Sequence, residues 1–222
     1  MDSLNSYFLP KWIQNVKHIP HVKTERILSA AAYDAVSKLE KYLNRSDSPE
    51  KFVRMYDDVY FTKERKLEDL EITRYLFEYG ELRGGGFTSG SVIWHDQVLR
   101  SADAVRKIGF PGFMTETHCP EVFEKSKMKE IFEMFEPADY RLLTSTLYYN
   151  VFPYEKMLKD RKTERALFYG CENEFSYKTS RISDGDGLPE RSCFMNHNDE
   201  GLDNHLKRFI TIMFPDKCRF ER

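Results

Sequence analysis

Several classes of protein are excluded by what the chain lacks. Its four cysteines, Cys119, Cys171, Cys193 and Cys218, are scattered without a CxxC pair, which removes the usual spacing of structural zinc and any dense disulfide framework. A reducing, cytoplasmic compartment is the expectation. There is no run of about 18 apolar residues to span a bilayer, and the opening "MDSLNSYFLPKW" lacks the basic-then-apolar profile of a signal peptide. Charge of one sign is also missing. With a net charge of −2 and a pI near 6.3, nothing in the composition supports nucleic-acid binding by phosphate neutralisation. The glycines of "GELRGGGFTSG" match neither GxxxxGK[ST] nor GxGxxG, so no phosphate-cradling loop of known spacing is present. There is no internal repeat and no low-complexity tract.

What remains is a folded chain of 222 residues, 41% hydrophobic and 14% aromatic, enough for the core of one large domain. "WIQNVKHI", set between Pro10 and Pro20, reads as a strand leading into a loop. Thr24 is a plausible N-cap for a helix whose Leu28, Ala31, Ala35, Leu39 and Leu43 share one face, with an end expected near Asn44. "KFVRMYDDVYFTK" follows as a strand, and the five glycines between Gly80 and Gly90 as a loop or lid. Asp96 to Lys107 predicts a helix ended by Gly109 and Pro111; "EVFE" is short and extended. Ser126 is placed as the cap of a helix carrying Met128, Ile131, Phe132 and Phe135, stopped by Pro137. "ADYRLLTSTLYYNVF" is a further, buried helix, and Leu202, Leu206, Phe209, Ile210 and Met213 mark the last amphipathic one.

Asp57 and Asp58 interrupt the aromatic run "FVRMYDDVYF". Charges taken from water need solvent, a partner or a metal. At the end of a strand the pair would suit a hard divalent cation, and equally a solvated turn or cap. His118, in "TETHCPEVF", could serve as a general acid or base, or simply bond a backbone carbonyl. His18 and His21 have no third ligand close in sequence, and "SDGDG" at 183–187 lacks the later acidic ligand of a calcium loop.

Taken in order, several segments resemble one family. "LPKWIQNVKHIPHVKTERILSAAAYDAV" resembles the strand, "HIPH" loop and helix that precede the metal-site strand of Stealth-type sugar-phosphate transferases, and "RMYDDVYF" stands at their "NDD.F" motif. "ETHCPEVFEKSKMKEIFEMF" is similar to their "H.P..F.K..L.E..E.F" segment. "TSTLYYNVF" and "CFMNHNDEGLDNHLKRFITIMFPDKCRFE" match the "SLY.NY" segment and the ending of the smaller phage and bacterial relatives. The likeness runs from residue 8 to residue 221.

This resemblance implies an α/β fold, a GT-A-like mixed sheet flanked by helices, with a helical C-terminal part. It would be one domain over 1–222, with the sheet and Asp pair in 1–80, the glycine-rich loop and helix in 81–115, and the His motif and C-terminal region in 116–222. It also implies metal-dependent transfer of a glycosyl or sugar-phosphate group from a nucleotide-sugar donor to an unidentified acceptor. Asp57 and Asp58 would hold Mn2+ or Mg2+. His118 and Asp58 would be catalytic, and Lys23, Arg26, Tyr148 and Asn150 would bind substrate. Two departures stand out. Tyr56 replaces the family's Asn, and the strand and "NNELRYSLRS"-like segment that the family carries ahead of the region matching residue 8 are absent. A truncated N-terminus of this kind leaves open an alternative: a non-catalytic interaction protein on the same scaffold, taking a partner chain at an N-terminal sheet edge.

Overall fold

The structure is a computed structural model and describes residues 19, 30–56, 59–84, 92–159, 165–168, 194–197 and 204–216. The chain is α/β. Helix α1 (Ala30–Leu43) ends one residue before the expected Asn44, with Leu43 at 1% exposure. The Thr24 cap and, apart from Ile19, the "WIQNVKHI" strand lie outside the described residues, as do Lys23 and Arg26. Strands β1 (Lys51–Arg54) and β2 (Val59–Phe61) follow.

The run expected to be one strand is therefore two. β1 pairs antiparallel with β4 (Glu121–Glu124), matching Lys51 to Glu124 and Arg54 to Glu121. β2 pairs antiparallel with β7 (Phe194–His197), which in turn runs parallel to β6 (Arg165–Phe168). β3 (Thr73–Tyr75) pairs in parallel with β5 (Met157–Lys159). Among the described residues the strands thus make three small sheets rather than a single mixed one. Asp57 and Asp58 fall between β1 and β2, outside the described residues.

Helices fill the space around these sheets. Short α2 (Leu67–Leu70) and α3 (Tyr79–Arg83) precede α4 (Val92–Lys107), α5 (Lys125–Phe135), α6 (Pro137–Tyr140), α7 (Thr144–Val151) and α8 (Asn204–Met213). α3 occupies the start of the segment expected to be loop, and the glycines from Gly85 to Gly90 lie outside the described residues. α4 starts four residues earlier than the periodicity suggested and stops where Gly109 takes φ +94°. The expected single helix over "ADYRLLTSTLYYNVF" is split, because Arg141 adopts the left-handed conformation at φ 55° between α6 and α7.

α7 is the centre of the molecule. All residues from Thr144 to Asn150 are buried, and the helix packs between α4 and α5. Leu147, Tyr148 and Tyr149 join Phe123, Met128, Ile131 and Phe135 in one cluster, with Phe123 and Tyr148 edge-to-face at 4.8 Å. A helix buried on every side cannot leave the polar groups of its first turn to water, so other elements must satisfy them.

Ser126 is not the cap of α5. The cap position is Glu124, and Glu50 reaches across to serve the first turn instead. Its Oε1 accepts hydrogen bonds from Ser126 N at 2.9 Å and Ser126 Oγ at 2.5 Å. These hydrogen bonds hold the Glu50 carboxyl below its ordinary value, so its contribution is present above about pH 4.5 and is lost as pH falls through the lowered value. Glu50→Ala is expected to lower the melting temperature modestly at neutral pH and hardly at all in acid. A deficit independent of pH would contradict this. Among the described residues, no helix is long and apolar enough to cross a membrane.

Candidate functional site

The end of β1, the loop 115–120 and the N-terminus of α7 meet around Arg54. Arg54 and Glu121 face each other across the β1–β4 ladder, and Arg54 Nε donates to Glu121 Oε2 at 2.8 Å. Arg54 Nη1 donates to Thr144 Oγ1 at 2.9 Å, and Nη2 donates to Tyr56 Oη at 3.1 Å and to Ser145 Oγ. The guanidinium carbon also lies 5.3 Å from the centre of the Phe123 ring. One cation thus spans a strand, a loop and a helix start.

Glu116 completes the network. Its Oε2 accepts from Tyr56 Oη at 3.0 Å and its Oε1 from Thr146 N at 3.3 Å. That carboxylate meets the first turn of α7, whose cap residue Leu143 has no side-chain acceptor to offer. Tyr56 lies with its ring parallel to His118, centroids 4.5 Å apart and planes 6° apart. His118 itself has φ 52°, and its carbonyl accepts from Asn196 Nδ2 at 3.0 Å. Asn196, fully buried on β7, sits opposite Val59 in the ladder.

The electrostatics follow from burial. Burial pushes the Glu121 carboxyl up to about 7 against the pull of Arg54, with Glu116 adding to the rise. Burial likewise raises the Tyr56 phenol well above its usual value, so it stays protonated and donates to Glu116. For Arg54 burial works downward, but the nearby carboxylates outweigh it and the guanidinium stays charged. Between about pH 4.5 and 7 the folded chain holds a proton on Glu121 that the unfolded chain has released. Stability from this group therefore falls as pH rises through that window and levels off above it. Glu121→Gln is expected to flatten this fall, read as urea midpoints across and above the window. An unchanged slope in the variant would contradict it.

The sequence-predicted residues divide into three groups. His118 is half-buried at the edge of this network, against the residue that precedes the Asp pair. Tyr148 and Asn150 are buried, at 1% and 3% exposure, and their polar atoms are engaged inside the fold. Tyr148 Oη accepts from Glu124 N at 3.0 Å, and burial pushes its phenol up to about 12. Asn150 Oδ1 accepts from Gly112 N and Phe113 N, both at 2.8 Å, and Nδ2 donates to Phe113 O at 2.8 Å and Thr146 O at 2.7 Å. The third group, Asp57, Asp58, Lys23 and Arg26, lies outside the described residues.

Arg54, Glu116, Glu121 and Asn196 were not singled out by sequence reasoning. Arg54 and Glu121 are 67 positions apart, and only strand register brings them together. Among the described residues, no group of three or more His, Cys, Asp or Glu side chains is arranged to hold a metal ion. The carboxylates of Glu116 and Glu121 are both within ion-pair reach of Arg54, which suits them to holding the loop rather than a cation. Compared with known proteins, the chain matches no family model and no curated protein sequence.

Proposed function

We propose that the chain is a metal-dependent transferase on a GT-A-like scaffold, moving a glycosyl or sugar-phosphate group from a nucleotide sugar. The observation that carries this reading is the parallel stack of Tyr56 on His118 at 4.5 Å. It brings the segment leading into Asp57 against the His118 loop, and these are two of the parts whose motifs resemble the Stealth-type transferases. Asp57 and Asp58 are the hard oxygen donors that would hold Mn2+ or Mg2+, and the cation would supply charge neutralisation at the donor diphosphate.

The remaining work falls to the chain's own residues. His118 would take the proton of the acceptor hydroxyl. Its backbone is held by Asn196 and its ring by Tyr56, so it needs little reorganisation. Lys23 and Arg26 would contact donor phosphate. Tyr148 and Asn150 support the reading from behind, by fixing β4 and the segment that leads into the His118 loop.

The test is incubation of the protein with UDP-sugars, Mn2+ and a panel of acceptors, followed by separation of the nucleotides. Release of UDP reports glycosyl transfer, and release of UMP reports sugar-phosphate transfer. His118→Ala is expected to slow either by about 10²–10⁴-fold, the range for loss of a general base. An unaltered rate in that variant would remove His118 from the chemistry. Absence of either nucleotide with every donor would sink the reading.

A further inference from the structure

The last turns of α4 and α5 and the single turn of α6 bound a groove of about 500 Å3. Backbone breaks shape it: α4 stops at Gly109, and the chain turns left-handed on both sides of α6, at Glu136 (φ 45°) and Arg141 (φ 55°). Phe135 and Leu142 form a buried floor. The walls are apolar yet face water, with Ile108 at 49%, Met134 at 50% and Tyr140 at 60% exposure. A single exposed apolar side chain needs no explanation, but several around one concavity mark a contact surface. Tyr, Met and Arg, here Tyr140, Met134 and Arg100, are also residue types enriched where proteins meet.

The charges on the two walls select the partner. On the α4 wall, Arg100 is committed to Asp96 at 2.6 Å, and Asp103 accepts from Tyr79 Oη at 2.8 Å and pairs with Arg83. Lys107 is exposed and makes no ion pair among the described residues. On the α5 wall, Glu133 and Glu136 are exposed on either side of Met134 and Phe135, and they too make no ion pair among the described residues. Asp139 and Arg141, which flank Tyr140, offset each other in charge. One wall thus carries an open cation and the other open anions, with an apolar strip between them. A partner of one charge would suit one wall and be repelled by the other. A surface with the same layout turned through 180° suits both, since its anions meet the cation and its cation meets the anions. A second copy of the chain is such a surface.

We infer that this groove is an interface at which two copies of the chain pack about a two-fold axis. Ile108, Met134 and Tyr140 of each copy cover the apolar strip of the other, and Lys107 of each faces Glu133 and Glu136 of the other. Such a contact is isologous, so every substitution in it acts twice. The groove and its edges fall short of the about 20–30 residues a side of a standard interface, which sets the dissociation constant on the order of 10–100 μM.

Sedimentation velocity of the full chain, at concentrations bracketing that constant, tests the interface without donor or metal and so bears on the groove alone. The wild type is expected to pass from monomer to dimer across the range. Lys107→Glu, and separately Glu133→Lys with Glu136→Lys, should each weaken association about tenfold or more, since each sets like charges against one another at both contacts. All three positions are exposed, so unchanged melting temperatures separate lost association from lost folding. An equimolar mixture of the two variants should dimerise as the wild type does, because cation and anion are again opposed at both contacts. High salt should narrow these differences. Met134→Asp, which sets a charge in the apolar strip of both copies, should stay monomeric at every concentration. A wild-type chain that is monomeric throughout would overturn the inference and leave the groove to a different protein. A dimer indifferent to Lys107→Glu, or a mixture that associates no better than its components, would overturn it as well.

Discussion

Asn150→Ala is expected to destabilise the protein by about 4 kcal/mol, near the upper end for a single substitution. Its side-chain amide makes four hydrogen bonds, two accepted and two donated, at 3% exposure. Truncation would strand Gly112 N, Phe113 N and Phe113 O in the interior, and water has little room to replace the lost partner. The backbone there has no slack, since Gly112 has φ +78° and a Cβ on it would lie 2.7 Å from Arg106 Cγ. The loss should appear as a lower urea midpoint with an unchanged slope. Asn150→Asp keeps the two acceptor contacts but loses both donors and buries a charge, so it should fare no better than the alanine variant. A cost below about 1 kcal/mol for Asn150→Ala would mean that the segment into the His118 loop is anchored elsewhere.

Arg54→Met carries the other large effect. Removing the guanidinium leaves Glu116 and Glu121, with side chains 5% and 4% exposed, without the cation that balances them. Breaking one side of a buried ion pair costs about 3–5 kcal/mol. The Arg54 side chain is itself 26% exposed, which favours the lower part of that range. The deficit should shrink toward acid, where Glu121 takes up its proton, and grow toward neutral pH. Arg54→Met combined with Glu121→Gln should recover part of the loss, and a double-mutant cycle measures the coupling. Strict additivity of the two substitutions would show that Arg54 and Glu121 do not act as a pair.

Local periodicity made several elements legible. The buried stripe of Met128, Ile131 and Phe135 on α5, the short strand Glu121–Glu124, and the end of α4 before Gly109 follow from spacing and breakers within a few residues. What escaped was decided at long range. The aromatic run from Phe52 to Phe61 has continuous strand character, yet its halves join different sheets, because their partners β4 and β7 come from distant parts of the chain. Ser126 has the chemistry of a cap, but the acceptor that serves the first turn of α5 is Glu50, 76 residues away. Arg141 in the left-handed region divides a helix that no glycine or proline marks at that point.

The site shows the same division. His118 stood out because a loop histidine beside a proline is locally conspicuous. Arg54, Glu116 and Glu121 read as ordinary charged residues, since nothing nearby in sequence says that a strand register and a helix N-terminus will bury them together. Asn150, expected to touch substrate, is instead fully engaged with its own backbone neighbours.

The most direct measurement is calorimetric titration of the folded protein with UDP-sugars, with and without Mn2+, alongside Asp58→Ala. A nucleotide-sugar site built on the Asp pair predicts binding that requires Mn2+ and disappears in Asp58→Ala, while the variant keeps the wild-type melting temperature. No binding by the folded wild-type chain, or binding that Asp58→Ala leaves intact, would contradict it.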